Sequence, residues 1–268
     1  MSFVNYNGLI CIKDEALTPL HSRALRYGEG LIETMYFHDR KIWLLDLHYE
    51  RLKAGLEALR FPTMSIFDFE KEIAKTIIAN HNPGKGILRA QFFLNEALYE
   101  LHYWIEYLAV KDIHVDWKEN GLRLGITTDF IKSPDRLSYL KHSSRLVYIM
   151  AKHEAVLHDW DDILLTNPNG NIVESTISNV FVVKNNMIFT PPLSEGCVAG
   201  VMRRYLLNED TIGSLKFFER VIEPSFLEDA DEVFLTNAIR GIQPVHSIND
   251  KVYSHRATRL VHDFISAL

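Results

Sequence analysis

The 268-residue chain has an ordinary globular composition, with 47% hydrophobic and 24% charged residues, and it is long enough to bury a substantial core in one large domain or two smaller ones. Its net charge of −6, without any block of basic residues, argues against nucleic acid or an anionic membrane as the main partner. Small anionic substrates remain compatible with this charge, because a single local arginine is enough to bind them.

Cysteine spacing and hydropathy narrow the class of protein further. Cys11 and Cys197 are far apart and show no metal-ligand spacing, which argues against a disulfide framework or a zinc site, and no metal site is predicted. No stretch approaches the ~18 consecutive apolar residues that would span a membrane. The first residues, MSFVNYNG, lack the basic and apolar regions of a signal peptide. We therefore expect a cytoplasmic protein with no membrane partner.

The first 110 residues have the pattern of hairpins combined with two helices. Alternating and branched residues predict strands at 3–13, 31–37, 42–45, 86–94 and 101–110. Asn7-Gly8 predicts a turn inside the first of these strands. Asp46 and Ser65 each precede an apolar stripe of helical period and are predicted to cap a helix, with Asp68 completing a capping box after Ser65.

A polar stretch at 111–121 is predicted to separate two domains. We place the boundary so that residues 1–115 form a smaller N-terminal α/β domain and residues 116–268 a larger C-terminal one. Hairpins that alternate with helices in this way predict an α+β fold.

The second half predicts more strands than helices. Strands are expected at 122–127, 162–166, 172–173, 180–183, 187–190, 217–222, 232–236 and 242–245. The sequence NPNGN predicts a tight hairpin after Thr166. Helices are expected after Gly200, after a cap at Ser225, and at 255–267.

Residues 138–158 combine a lysine with the start of a helix. Lys141 precedes two serines, which can cap the helix that follows. The apolar positions of that helix recur at helical spacing and are predicted to be its buried face; they are Leu146, Ile149, Met150, His153, Val156 and Leu157.

Several polar features at strand and helix ends suggest a common chemistry. Lys141 offers an amine nucleophile, Glu174 follows a tight hairpin, and Gly200 precedes a helix whose free N–H groups suit a phosphate. Arg51 offers a fixed cation, and Thr236-Asn237-Ala238 forms a second small polar strand end. Pyridoxal phosphate (PLP) requires a lysine, a carboxylate and a phosphate site. From spacing alone, a surface lysine, a solvated glutamate and an ordinary capping glycine explain these residues equally well.

The order of six motifs resembles the class IV, or fold-type IV, PLP enzymes, which include branched-chain aminotransferases, D-amino acid aminotransferases and 4-amino-4-deoxychorismate lyases. The segments that carry the resemblance are RALRYGEGLIET, HYERL, YLKHSSRL, IVESTISNVFVV, IFTPPLSEGCVAGVMRR and FLTNAIRGIQPV. The resemblance implies a two-domain, D-amino acid aminotransferase-like α+β (α/β) fold with PLP in the cleft between the domains. It also implies a homodimer that acts on a small-molecule amine.

The resemblance assigns a role to each matching residue. Lys141 and Glu174 are implied as catalytic residues that also bind PLP, Thr34 as a proton donor, and Arg89 as a ligand of a substrate carboxylate. The phosphate of PLP is implied to lie against Arg51, Val201, Met202, Asn237 and Ala238.

Within the family, Lys-His-x-x-Arg-Leu, Gly-Val-Met-Arg and Thr-Asn-Ala are most similar to the aminodeoxychorismate lyases, which act in folate biosynthesis. Ser143-Ser144 and Glu33-Thr34 depart from the lyase pattern, and Glu33-Thr34 is closer to the branched-chain aminotransferases. The expected reaction is release of pyruvate and 4-aminobenzoate from 4-amino-4-deoxychorismate. Two alternatives stay open: transamination of branched-chain or D-amino acids with 2-oxoglutarate, and PLP binding without turnover.

Overall fold

The structure, a computed structural model, describes residues 2–15, 22–39, 41–110, 117–209 and 211–267. The chain divides into two compact units, one of Met1–Ile113 with Leu140–Arg145 and one of His114–Tyr139 with Leu146–Leu268. The predicted boundary at 115/116 lies outside the described residues. The short segment that carries Lys141 belongs to the first unit, although it lies far along the chain.

The first unit contains six strands and three helices among its described residues. They are β1 (Phe3–Tyr6), β2 (Leu9–Ile12), α1 (Arg23–Tyr27), β3 (Leu31–His38), β4 (Lys41–Ile42), α2 (Leu45–Ala58), α3 (Ile66–Ala79), β5 (Lys85–Asn95) and β6 (Glu100–Leu108). The strands form one antiparallel sheet in the order β2-β1-β6-β5-β3-β4. Helix α2 packs on β3, and α3 packs on β1 and β6. Buried side chains such as Met35, Phe37 and Leu88 fill this core.

The second unit is built on a larger mixed sheet. Its described elements are β7 (Leu122–Thr127), α4 (Leu146–Leu157), β8 (Asp162–Thr166), β9 (Ile172–Ser175), β10 (Asn179–Lys184), β11 (Met187–Thr190), α5 (Val201–Asn208), β12 (Lys216–Glu219), α6 (Pro224–Glu228), β13 (Glu232–Asn237), β14 (Gly241–Ile248), β15 (Lys251–Val252) and α7 (Arg256–Ser266). The main path of the sheet is β12-β11-β10-β13-β14-β7-β8-β9, and β15 pairs with β14. No helix among the described residues is long and apolar enough to span a membrane.

Two turn and cap predictions are confirmed. Residues 7 and 8 form the turn between β1 and β2, which pair antiparallel. The side-chain oxygen of Ser65 accepts a hydrogen bond from the backbone N–H of Asp68 at 3.1 Å. This bond satisfies one of the N–H groups that the start of a helix leaves without an intrahelical partner.

Two other cap predictions are wrong. Helix α2 begins at Leu45, after Leu44 in the left-handed conformation, so Asp46 lies inside the first turn. There its carboxylate can favour the helix only through the positive end of the helix dipole. Helix α6 begins at Pro224, with Glu223 rather than Ser225 at the cap position. Proline suits the first helical position because its fixed φ matches the helix and its missing N–H would have no partner there.

The predicted buried face of α4 is also wrong. The side chains that lie against the sheet are Tyr148, Ala151 and Ala155. They pack with Ile163 and Leu165 of β8. The predicted stripe is on the opposite side and exposed, with Leu146 at 68% and Leu157 at 85% of full exposure. Ala151 and Ala155 face the sheet because their small side chains let the helix approach it closely, and the larger apolar side chains of the stripe stay exposed.

Replacing Phe181 tests the core of the second unit. Phe181 is fully buried and stacks on Phe234 with ring centroids 5.0 Å apart. We expect Phe181→Ala to lower the free energy of unfolding by about 3–5 kcal/mol, because it removes a buried ring and leaves a cavity. Urea denaturation followed by tryptophan fluorescence measures the change. Phe218→Ala, at an exposed phenylalanine, is the control and should cost much less; equal losses would contradict this account of the core.

Candidate active site

Two glycines allow a distant segment to approach the start of β3. Gly28 ends α1 with φ +67, and a Cβ on it would lie 3.1 Å from the Cα of Ser144. A Cβ on Gly30 would lie 2.5 Å from the carbonyl oxygen of Phe92 and 3.1 Å from the hydroxyl of Ser143. In the Tyr-Gly-x-Gly motif, Gly28 is therefore required because its backbone has a left-handed conformation. Gly30 is required because its neighbours leave no room for a Cβ.

The segment that approaches these glycines carries Lys141. The backbone N–H of Ile32 donates to the carbonyl oxygen of Lys141 at 2.8 Å, and the N–H of Ser143 donates to the carbonyl oxygen of Gly30 at 2.9 Å. Between these two hydrogen bonds, Leu31 and His142 pair as an isolated antiparallel bridge. Lys141 is thus fixed by ladder-type hydrogen bonds to the start of β3, and not by helix α4, which begins five residues later.

A buried ion cluster lies next to Lys141 in the same unit. The carboxylate of Glu33 on β3 accepts two hydrogen bonds from Arg51, Nε at 2.8 Å and Nη2 at 2.6 Å. It also accepts one from Nδ1 of His48 at 2.6 Å. His48 and Arg51 share one face of α2, as their three-residue spacing predicts. The predicted phosphate ligand Arg51 is therefore oriented by Glu33, in the bidentate geometry that suits a guanidinium.

The cluster shifts the pKa of both titratable members. Burial alone would raise the pKa of Glu33, but the charge and hydrogen bonds of Arg51, together with His48, outweigh it and lower this pKa to about 2. Burial lowers the pKa of His48, and the charges of Arg51 and Lys141 add to this effect against the opposing influence of Glu33. His48 is therefore neutral at pH 7. Its Nδ1 carries the proton, and its Nε2 has no hydrogen-bond partner among the described residues.

Thr34 and Arg89 lie on the same face of the first sheet, which they share with apolar side chains such as Ile32 and Ile87. They are directly opposite each other in the antiparallel pair β3 and β5. Gln91, two residues along β5, donates from Nε2 to the hydroxyl of Ser143 at 3.0 Å. Arg89 is half exposed and its Nη1 lies 3.6 Å from Glu106, whose carboxylate has a closer contact with Lys13 at 2.6 Å. Arg89 therefore keeps charge available for an anion from solution.

Glu174 lies buried on β9 in the second unit. Its Oε1 accepts hydrogen bonds from the ammonium of Lys132 at 2.6 Å and from the hydroxyl of Tyr148 at 2.7 Å. Its Oε2 accepts from the backbone N–H of Val198 at 3.0 Å and, at 3.5 Å, from Asn179. A buried carboxylate held by a cation and several hydrogen-bond donors has a fixed orientation.

Helix α5 begins at the predicted phosphate position. Gly200 is its N-cap, and Val201 and Met202 are buried in its first turn. A Cβ on Gly200 would lie 1.8 Å from the side-chain oxygen of Asn179, so any larger residue there would displace the Asn179 side chain. The first N–H groups of a helix point out of its end and carry positive partial charge, which suits an anion.

The segment after β13 supplies a second polar end in the same unit. The hydroxyl of Thr236 is buried and has no partner among the described residues. The side chain of Asn237 is already engaged, since its Nδ2 donates to the hydroxyl of Ser178 at 2.9 Å and its oxygen accepts the backbone N–H groups of Ile239 and Arg240. Asn237 and the adjacent Ala238 therefore offer backbone rather than side-chain groups to a ligand.

Comparison with known protein families assigns the chain to one of them. Residues 30–248 match the sequence profile of the family described as "Amino-transferase class IV". This chain belongs to the class IV aminotransferases. Enzymes of the family depend on PLP, and the chain is a PLP-dependent enzyme, as its motifs predict.

Relatives of the chain divide between two activities. The aminodeoxychorismate lyase of Vibrio harveyi is 26% identical over 249 residues, which cover 86% of this chain and 87% of the relative. A probable branched-chain-amino-acid aminotransferase of Thermotoga maritima is 29% identical over 223 residues, which cover 82% of this chain and 78% of the relative.

Solved structures confirm the predicted fold class. The branched-chain amino acid aminotransferase of Escherichia coli superposes with a TM-score of 0.87 at 21% identity, covering 99% of this chain and 93% of that one. A hypothetical aminotransferase from Mycobacterium tuberculosis, in a PLP-bound form, also gives 0.87, at 16% identity, covering 99% and 98%. At these identities the likeness concerns the fold alone.

The residues present fit the groups of PLP. Glu174 is an oriented, buried carboxylate that suits a ring nitrogen, and Thr236 is a buried hydroxyl that still has a hydrogen bond to make. The start of α5 and the guanidinium of Arg51 suit a phosphate. Sequence patterns did not predict a role for four residues that contact these groups: Glu33 and His48 in the cluster with Arg51, and Lys132 and Tyr148 on Glu174. Glu33 stands inside a recognised motif and His48 shares a face with Arg51, but no pattern marks Lys132 or Tyr148.

Acid unfolding tests the Glu33 cluster. Because the pKa of Glu33 is lowered on folding, its contribution to stability is complete above the unfolded pKa near 4.5 and is lost as the pH falls toward about 2. We expect the wild-type chain to lose about 3 kcal/mol more stability than Glu33→Gln over this range. Urea denaturation at pH 7, 5, 3 and 2 measures both proteins. Parallel stability curves for the two proteins would contradict the assigned pKa shift.

Proposed function

We propose that the chain is an aminodeoxychorismate lyase, which converts 4-amino-4-deoxychorismate to 4-aminobenzoate and pyruvate. The observation that carries this proposal is the pair of polar side chains Thr34 and Arg89, which lie across from each other on β3 and β5, with Gln91 linking β5 to the Lys141 segment. A hydroxyl and a guanidinium placed together suit a substrate with carboxylates and a leaving group that needs a proton. The Vibrio harveyi relative supports the same activity.

The proposed cofactor ligands come from the six motifs. Lys141 is the lysine that bonds to PLP, and Glu174 is the partner of its ring nitrogen. The phosphate ligands are Arg51, Val201, Met202, Asn237 and Ala238. When bound, PLP supplies an electron sink for the carbanion that forms when the substrate loses its proton.

The chain's own residues then have three tasks. The amine of Lys141 removes the proton from the amine-bearing carbon of the substrate. The bond from the ring to the enolpyruvyl oxygen breaks with its electron pair on that oxygen, and the Thr34 hydroxyl supplies the proton that the leaving group takes up. Arg89 binds a substrate carboxylate and so fixes the ring against Lys141.

Transamination of an amino acid with 2-oxoglutarate is the second candidate function. The Thermotoga maritima relative favours it, and so does Glu33, which stands where the branched-chain enzymes carry a glutamate. Both reactions begin with the same proton removal by Lys141. They diverge afterwards, because a lyase expels a leaving group and a transaminase returns the proton to the cofactor.

Substrate assays with a lysine variant test the proposal. We expect the purified enzyme to release pyruvate from 4-amino-4-deoxychorismate faster than it transfers amino groups from a panel of branched-chain and D-amino acids. Lys141→Ala should reduce pyruvate release by about 10³-fold or more, because it removes the proton acceptor. The matched control is Lys152→Ala, on α4. Amino transfer without pyruvate release would assign the aminotransferase function instead.

Chemical trapping locates the reactive lysine independently of the reaction. Borohydride reduction of the PLP-loaded enzyme followed by peptide mapping should find the cofactor on Lys141. A label on Lys132 would contradict the assignment of Lys141.

We also propose that the chain forms a homodimer through the exposed apolar stripe of α4, which includes Leu146, Ile149 and Val156. Such a stripe at helical spacing is costly in water and suits burial against a second copy.

Sedimentation analysis of a charged variant tests this interface. We expect Ile149→Glu to shift the protein from dimer to monomer, since a carboxylate on the stripe would be buried without a partner. Ile78→Glu, at another exposed isoleucine on α3, should remain a dimer. A wild-type monomer at micromolar concentration, or an Ile149→Glu dimer of wild-type affinity, would contradict the proposed interface.

A further inference from the structure

Lys132 is a buried lysine with no role in the family motifs. It follows β7 and is 7% exposed. Its ammonium donates to Glu174 Oε1 at 2.6 Å and lies 5.1 Å from the centre of the Tyr148 ring. Its backbone N–H donates to the carbonyl oxygen of Thr166 at 2.9 Å, so the main chain of this lysine is also fixed. A lysine is rarely buried unless its charge is paired, and among the described residues the only carboxylate within ion-pair distance of Lys132 is that of Glu174.

The two oxygens of Glu174 are occupied unequally. Oε1 receives two short hydrogen bonds, from Lys132 and from Tyr148 at 2.7 Å. Oε2 receives one good bond, from the N–H of Val198 at 3.0 Å, and a long one of 3.5 Å from Asn179. The amide of Asn179 also has a better acceptor in the carbonyl oxygen of Val198 at 2.9 Å.

A further donor can therefore bind only at one oxygen. An ionised carboxylate accepts about four hydrogen bonds. Both positions on Oε1 are filled by strong donors, one of them charged. On Oε2 the weak bond from Asn179 can give way at little cost, since Asn179 keeps its bond to Val198.

We propose that Lys132 is a positioning residue for the cofactor: with Tyr148 it fixes Glu174 through Oε1 and so presents Oε2 to the ring nitrogen of PLP. The proposal rests on the assignment of Glu174 to that nitrogen. Lys132 also supplies the opposite charge that compensates for the lost hydration of this buried carboxylate.

Titration of the cofactor-free chain with PLP tests this role without any substrate. We expect Lys132→Met to raise the Kd for PLP on the order of tenfold, the effect of losing a hydrogen bond that involves a charged group. Lys132→Arg retains the cation and should bind PLP with nearly wild-type affinity. The control is Lys71→Met, at an exposed lysine on α3, which should not change the Kd.

A double-mutant cycle establishes whether Lys132 acts through Glu174. Glu174→Gln should weaken PLP binding, and adding Lys132→Met to it should cause no further loss. Additive losses, or an unchanged Kd in Glu174→Gln, would overturn the proposal. A tighter Kd in Lys132→Met would also overturn it, because Lys132 would then compete with the ring nitrogen for Glu174. So would a lower melting temperature with an unchanged Kd, since Lys132 would then be only structural.

Tyr148→Phe provides a second route if Lys132→Met does not fold. It removes one donor from Oε1 while the ion pair remains, and we expect a smaller rise in the Kd. An unchanged Kd in Tyr148→Phe would contradict the fixing of Glu174 through Oε1. Failure of the lyase assignment is distinguishable from these outcomes, because it would appear only in the substrate assays and not in PLP affinity.

Discussion

The backbone pairing between the start of β3 and the Lys141 segment is the constraint on which the first unit's site depends. Two ladder-type hydrogen bonds, Ile32 to Lys141 and Ser143 to Gly30, join parts of the chain that are more than 100 residues apart. The two glycines leave room for this approach, since a Cβ on Gly28 would lie 3.1 Å from the Cα of Ser144 and a Cβ on Gly30 would lie 3.1 Å from the hydroxyl of Ser143. The lysine is therefore positioned by a strand-like segment, and its neighbours Glu33 and Thr34 follow on the same strand.

Two buried carboxylates among the candidate functional residues, one in each unit, are matched by a cation. Glu33 is paired with Arg51, and Glu174 is paired with Lys132. Burying an ionised group is costly unless a partner of opposite charge and further hydrogen bonds compensate for lost hydration. Both carboxylates receive further donors besides the cation. Each of the two clusters therefore contains fixed charges that need little rearrangement when a charged ligand binds, which is a property that cofactor binding requires.

Sequence patterns predicted the positions of strands, helices and turns better than they predicted which face of a helix is buried. The hairpin turn at Asn7-Gly8 and the Ser65 cap depend on neighbours within a few residues, and both were predictable. The buried face of α4 was not predictable, because the spacing of apolar residues identifies a stripe on the helix but does not show which element packs against that stripe. The sheet selects Ala151 and Ala155 as the contacts for close packing. Lys132 was missed for a related reason: its partner is 42 positions away in sequence.

The sequence by itself determined the family and the cofactor, because six motifs in a fixed order specify both, and their glycines and charged residues are required by local geometry. Only the tertiary structure decided which neighbouring side chains contact and orient those motif residues. It paired Arg51 with Glu33, placed Thr34 across from Arg89, and gave Glu174 a lysine partner that no motif contains. These contacts depend on strand register and on burial, which join distant residues, and a linear pattern carries no information about such distances.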